Sequence, residues 1–189
     1  MSELYTRTSS GVVPVKLDGV DGLKDYLKIE DTASDDLLSQ FTEAATDFAE
    51  QYTRRDLRAN TWTLLLDTFP SRICLRRDPV ASITSITYLD DDDASQTVAS
   101  SAYTLKKGQQ TSEIILLPDE EWPTLVTDRE QHITVTFLTA AHWKLDQAKF
   151  GIKKMVAYLY ENRGDCDAQK AAQESGATQL WDLLRIARI

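Results

Sequence analysis

The chain has 189 residues, 42% of them hydrophobic and 27% charged, with a formal net charge of −9 from 30 acidic against 21 basic side chains. This balance suits one soluble unit, or a core with one sizeable insertion, able to bury an apolar centre without metal or disulfide staples. It excludes fibrous and broadly disordered classes, and the negative charge opposes tight nucleic-acid binding through counterion release while leaving room for DNA that slides past.

Residues 1–15 are polar, carry Pro14 and read as an N-terminal arm. No basic segment followed by an apolar run opens the chain, so no signal peptide is expected. No apolar run approaches the roughly 18–20 residues that cross a bilayer. A short helix is predicted from about Leu17 to Leu27, with Leu17, Val20, Leu23 and Leu27 on one face. Gly19 and Gly22 weaken it by about 1 kcal/mol each relative to alanine.

The clearest helix runs over about 35–55. Ser34 is a good N-cap, and Asp35 and Asp36 sit where the helix dipole favours negative charge. Leu37, Phe41, Ala44, Ala45, Phe48 and Tyr52 recur at helical spacing. Arg54 and Arg55 close the last turn, where cations are favoured.

The period then changes to two. Trp62, Leu64 and Leu66 alternate with Thr61, Thr63 and Leu65; Ile73-Cys74-Leu75 is short and apolar. The run Ile83 to Leu89 is β-branched, and its apolar spacing slips once, which predicts a bulge. Asp90 to Asp93 form a turn, with a return strand at Thr97-Val98. Tyr103 to Leu105 and Ile114 to Leu117 read as a further hairpin around Gly108. Ile133, Val135 and Phe137 complete the pattern of a half-buried antiparallel strand.

Helical spacing returns at Ala148, Ile152, Met155, Val156, Leu159 and Tyr160, with Gly164 just past the end. Residues 165–176 read as loop or weak helix, and a last short helix is predicted over about 178–187. The fold class is therefore α+β. A helical core built from 16–58 and 144–189, its two ends packed together, carries an antiparallel β-rich insertion at 59–143.

Chemistry is sparse along this path. Asp90 to Asp93 lack the spacing, the glycine and the glutamate of a calcium loop, so a solvated turn is the better reading. Cys74 and Cys166 form no CxxC pair. His132 and His142 lie at no metal-ligand spacing, and a Cys74–His132 nucleophile and base is weakly supported because no strained glycine elbow accompanies it. Asp119, Glu120 and Glu121 resemble a paired-carboxylate site only in composition and read as an acidic loop before Trp122. No glycine-rich phosphate loop occurs. No catalytic, cofactor-binding or metal-binding residues are assigned, and the chain is not expected to be an enzyme.

Two sets of residues are candidates for contacts. Leu180, Trp181, Leu184, Ile186 and Ile189 exceed what one short helix needs for a buried face, and tryptophan is enriched at binding hot spots. They divide between docking on the chain's own core and binding a partner. Removing residues from about 178 onward is expected to leave the core folded. The basic pairs, including Arg54 and Arg55 with Arg58, read as helix-end and solvated-face charges of the kind found at subunit interfaces.

The order of these residues resembles the head–tail connector (adaptor) proteins of long-tailed double-stranded DNA phages and of related gene-transfer particles, in the branch with a β-rich insertion. The resemblance is carried by Val15-Lys16-Leu17 with Leu23 to Ile29, by Asp35-Asp36-Leu37-Leu38, and by the helix end Glu50-Gln51-Tyr52-Thr53-Arg54-Arg55. It continues through Thr61-Trp62, Leu66 to Pro70, and Asp78-Pro79-Val80 with Ile83 to Asp90. Trp122-Pro123, the strand Ile133 to Phe137 and Tyr160-Glu161-Asn162-Arg163 complete it. Ala140-Ala141-His142-Trp143 departs from the Gly-Tyr-Gly-like turn and prolines common there.

The resemblance implies a ring of about twelve copies in the virion neck, made in the bacterial host cytoplasm. It implies a seat below the portal protein, a far side offered to a stopper or tail-terminator protein, and a channel for DNA without sequence-specific binding or membrane contact. It implies that the C-terminal segment (Leu180, Trp181, Leu184, Ile186, Ile189) docks on the portal. Arg54, Arg55, Arg58, Asp91 and Asp92 are then the expected interface or lumen residues. A stopper or tail-terminator role is the nearest alternative, and a small hydrolase the more distant one.

Overall fold

The computed structural model describes residues 3–90, 92–108, 111–125, 130, 132–141, 145–164 and 167–185. The chain divides into two compact units, one from Met1–Gly11 with Ala59–Ala140, the other from Val12–Arg58 with Ala141–Ile189. The class is α+β, as the alternation of periods predicts.

The first unit is an antiparallel β structure. Among the described residues, β1 (Glu3–Ser10), β2 (Asn60–Leu66), β8 (Ile133–Thr139), β4 (Val80–Leu89) and β5 (Ser95–Thr97) form one sheet in the order β1-β2-β8-β4-β5. β3 (Arg72–Leu75), β7 (Ser112–Leu116) and β6 (Tyr103–Lys106) form the other, in the order β3-β7-β6. Register places Trp62 opposite Phe137, Leu64 opposite Val135 and Leu66 opposite Ile133. Period-two alternation therefore puts six large apolar side chains on one face. That face shares a single core with Ile73, Leu75 and Ile114 of the second sheet. Trp122 stacks on Phe69 at 4.7 Å between ring centres, beside the same core. Register shifts in β4 at Val80/Ser82 and Ile83/Ser85 are the bulges behind the slipped spacing.

One expectation is corrected here. The first fifteen residues are not a free arm, because Glu3 to Ser10 are hydrogen-bonded along β2. The strand is polar and mostly exposed, so its backbone ladder holds it without an apolar pattern to announce it. Tyr5 pins it further: its hydroxyl donates to the Cys74 carbonyl at 3.0 Å and accepts from the Arg76 amide at 3.2 Å.

The second unit is helical, with α1 (Leu23–Leu27), α2 (Asp35–Thr53), α3 (Leu145–Glu161), α4 (Ala168–Glu174) and α5 (Ala177–Asp182). The first helix is shorter than its sequence pattern: Gly22 is its N-cap, not an interior residue, and Gly19 takes a φ of +94°, which favours glycine. Lys24, buried on α1, pairs with Asp35 at 2.9 Å and Asp18 at 3.4 Å. This ties the start of α2 to α1.

On α2 the fully buried face carries Leu38, Ala45 and Ala49, and Ala44 is exposed. The apolar stripe is thus rotated from the one predicted through Leu37 and Ala44. Thr42, Thr46 and Thr53 lie within the buried face because each hydroxyl donates to the carbonyl four residues back, at 2.7 Å. That leaves no buried hydroxyl without a partner at these three positions. The buried side of α3 is Ala148, Ile152, Met155, Val156 and Leu159, as its spacing predicts.

The polar stretch before the last helix contains α4, capped by Asp167, whose carboxylate accepts from the Lys170 amide at 2.6 Å. Gly176 turns the chain into α5 with a left-handed φ of +72°. The last helix ends at Asp182, short of the predicted 187.

Candidate functional site

Two buried polar constructions and two outward faces mark the helical unit. The first construction closes the C-terminal end of α2. Arg58 is 3% exposed, and its guanidinium contacts Glu43 at 2.8 Å, Glu50 at 3.4 Å and Asp47. The other oxygen of Glu50 accepts from the amides of Leu57 at 2.9 Å and Arg58 at 3.3 Å. Glu43, Asp47 and Glu50 are spaced by a helical turn, so one side of α2 offers three carboxylates to one fork-shaped cation. Burial works against the charged form of Arg58, but the hydrogen bond to Glu43 and the three negative charges outweigh it and raise its pKa. Arg58 is therefore not a solvated-face residue, and its expected role as a surface contact is corrected: the cation is occupied within the unit.

The second construction holds the last helix. Trp181 is 0% exposed, packed beside Phe48 and Tyr52 at 6.0 and 6.2 Å between ring centres. Its indole N–H donates to the Ala148 carbonyl at 3.3 Å. A Cβ on Gly151 would meet the indole nitrogen at 2.3 Å, so the absence of a side chain in the middle of α3 admits the tryptophan. Leu184 is buried, and its carbonyl accepts from Arg55 Nε at 2.7 Å. The half-buried Leu180 has its carbonyl bonded to Gln147 at 3.0 Å.

Trp181 and Leu184 thus belong to the core of their own unit, which corrects the expectation that residues from 178 onward can be removed without harm to it. Ile186 and Ile189 lie outside the described residues. Arg54, at the C-cap of α2, takes a left-handed φ of +59°. Asp92 is exposed in the turn after β4, and Asp91 lies outside the described residues. That turn is organised by Asp90, whose carboxylate accepts from the amides of Asp92 (3.0 Å) and Ala94 (2.9 Å) and from Gln96 (2.7 Å). The Gln96 bond, with help from the amides, holds the Asp90 pKa below the usual carboxylate range.

The enzyme-like alternatives lose their geometry. Among the described residues neither ring nitrogen of His132 has a hydrogen-bond partner, so His132 is not joined to Cys74. Asp119, Glu120 and Glu121 are exposed. His142 and Cys166 lie outside the described residues. Among the described residues no group of three His, Cys, Asp or Glu side chains is placed to hold a metal ion, and no helix is long and apolar enough to cross a membrane.

What remains is surface. The outward side of α2 presents Asp36, Gln40, Glu43 and Asp47. The outward side of α3 presents Lys149, Phe150 and Lys153 beside a groove of about 530 Å³ that also includes Val20 and Lys16.

A family model described as phage gp6-like head-tail connector protein matches residues 18–112, which is half of the chain. The chain belongs to this family. The role of this head–tail connector is therefore structural. No curated protein matches the chain.

Solved structures match the connector along nearly its whole length. A chain from the neck of an empty gene transfer agent particle, determined with C6 symmetry, superposes with a TM-score of 0.75 at 20% identity, covering 98% of this chain and 97% of that one. A chain from the neck of the native particle, determined with C12 symmetry, gives 0.74 at 20% identity and the same coverage. A chain from the virion of the native particle gives 0.75, again at 20% identity over 98% and 97% of the two chains. At this identity the likeness establishes the shared fold of both units.

Proposed function

We propose that the connector is one subunit of a closed ring of about twelve copies in the neck of a phage or phage-like virion. The ring lies between the portal protein and a stopper or tail-terminator protein. The observation that carries this reading is the match of the entire chain, helical and β units together, to subunits of a gene transfer agent neck. The family model supports the same role independently. The net charge of −9 suits a channel wall past which DNA slides, because like charge prevents adhesion to phosphate.

Portal docking is assigned to the segment beyond Arg185, with Ile186 and Ile189 as its apolar contacts. Leu180, Trp181 and Leu184 act at its base, holding α5 against α3. Arg54, Asp91 and Asp92 are the proposed interface or lumen residues, with Arg55 anchoring the end of the last helix through the Leu184 carbonyl. The protein is made in the bacterial cytoplasm and taken up into the virion.

Genetic removal tests the role. Particles assembled without the connector should give DNA-filled heads without tails, and the full chain should restore them. A chain cut after Arg185 should stay folded and fail to restore them. Normal tailed particles in the absence of the protein would overturn the proposal.

A further inference from the structure

We infer that neighbouring copies meet through the two outward helical faces, the acidic side of α2 on one copy against the lysine and aromatic side of α3 on the next. This rests on the ring proposed above and names the surfaces that build it. The helices α2 and α3 share one core, with Leu38, Ala45 and Ala49 on the first and Ala148, Ile152 and Met155 on the second. Asp36, Gln40, Glu43 and Asp47 lie about half a turn around α2 from its buried stripe, and Phe150 and Lys153 do so on α3. The two outward faces are thus distinct, and the grooves beside them meet at Val15 and Lys16. Two different patches of one body are what a head-to-tail contact uses, whereas a twofold dimer would need one self-complementary patch.

The faces also differ in chemistry. On the α3 side, Phe150 is 47% exposed, Tyr26 40% and Val20 98%. The Tyr26 and Phe150 rings meet edge to face at 6.2 Å, forming a rigid apolar rise. Lys16, Lys149 and Lys153 surround it, along with Asp21 and Asp146. Lys153 is fixed by donating to the Asp21 carbonyl and lies 6.0 Å from the Tyr26 ring centre. On the α2 side, Glu43, Asp47 and Glu50 together outweigh the single charge of Arg58, and Asp36 adds another negative charge. Val12, 85% exposed, lies in a groove with Ser39 and Thr42 of α2, bordered by Lys16 and Asp18, and gives this side an apolar contact of its own. A net-positive apolar rise thus faces an acidic helix with a valine at its flank. Complementary charge of this kind sets partner orientation as well as attraction.

The test uses the full chain and reads self-association by sedimentation velocity over a concentration series. Lys149→Glu with Lys153→Glu should weaken association at least about tenfold, roughly 1.4 kcal/mol. Asp36→Lys with Gln40→Lys should do the same. Neither set touches the Arg58 cluster, so circular dichroism should match the parent chain, with melting lowered only slightly by the lost helix-dipole contact of Asp36 and the lost Lys153–Asp21 bond. Combining all four substitutions in one chain should give stronger association than Lys149→Glu with Lys153→Glu alone, because the new lysines on α2 offset the acids that would repel the new glutamates. Moderate salt should weaken the parent assembly.

Reversals that leave association unchanged, or a fourfold variant that associates no better than Lys149→Glu with Lys153→Glu, would overturn the pairing. So would a parent chain that remains monomeric at every concentration yet occupies the particle neck, and that result would leave the connector role standing. A chain absent from the neck would instead break the connector reading itself.

Discussion

The β unit and the helical unit of this protein are stabilised in different ways, and the difference separates what tolerates change from what does not. In the β unit, alternation does most of the work. Trp62, Leu64 and Leu66 against Phe137, Val135 and Ile133 bury an apolar face whose members are interchangeable in kind. Two polar features of that unit, the Asp90 turn and the Tyr5 pin, lie at its margins, while Asn60 and Thr139 bond each other inside it. In the helical unit, polar and steric pins sit inside. Arg58 is enclosed by three carboxylates, and Trp181 occupies the space that Gly151 leaves open. Substituting Arg58 or Trp181 should therefore be severe, and substituting Tyr5 or Asp90 mild.

The largest effects test the pins directly. Arg58→Ala leaves Glu50 buried without its cation and should cost about 3–5 kcal/mol. Trp181→Ala should cost a similar amount, about 3–5 kcal/mol, through a cavity beneath α5. Urea unfolding of each variant checks both. A loss near that of a surface substitution would erase the contrast between the units. Next, Gly151→Ala should destabilise by about 1–3 kcal/mol despite the better helix propensity of alanine, because the methyl group meets the indole. A stabilised Gly151→Ala variant would mean that Trp181 is not held against α3.

In the β unit the effects shrink. Tyr5→Phe should cost about 1 kcal/mol by removing the hydroxyl that joins Cys74 and Arg76. Burial pushes the Tyr5 pKa up to about 12, so the folded protein favours the protonated phenol. An unfolded tyrosine ionises near 10. The contribution of this pin is thus whole below pH 10 and declines as pH rises through 12. The parent chain should lose stability over that window faster than the Tyr5→Phe variant, and parallel curves would remove Tyr5 from the account. Asp90→Ala should be the mildest change, visible mainly as faster amide exchange at Ala94. The Asp90 pKa is lowered, so the support its carboxylate gives the turn is present above the usual carboxylate range and fades as pH falls below it.

The same contrast explains what was legible in the sequence. Strands of the β core announce themselves through period-two alternation, and the slipped spacing in Ile83 to Leu89 announces its bulges. The strand β1 was missed because an edge strand of exposed polar residues is held by backbone hydrogen bonds, which leave no trace in side-chain hydrophobicity. Both long helices were visible, but the face of α2 was rotated because buried threonines, satisfied by their own backbone, look polar in the sequence. The Arg58 cluster did have a signal: Glu43, Asp47 and Glu50 recur at helical spacing shortly before Arg58, although Arg54 and Arg55 lie nearer in sequence. Gly151 had none, since its partner Trp181 lies thirty positions away.

The candidate surfaces followed a similar course. The apolar C-terminal residues were noticed, but two of them proved to be core, because the hydrophobicity of a residue does not tell which body will cover it. The chain order of turns and packing residues, although no single one is distinctive, pointed to the connector family that the family model establishes.

The most direct measurement is a reconstruction of the neck of the mature particle with the connector identified in density. Our account predicts a closed ring of copies around the channel, with the α2 side of each copy facing the α3 side of the next. A neck built without this chain, or a single copy bound off the channel axis, would contradict it.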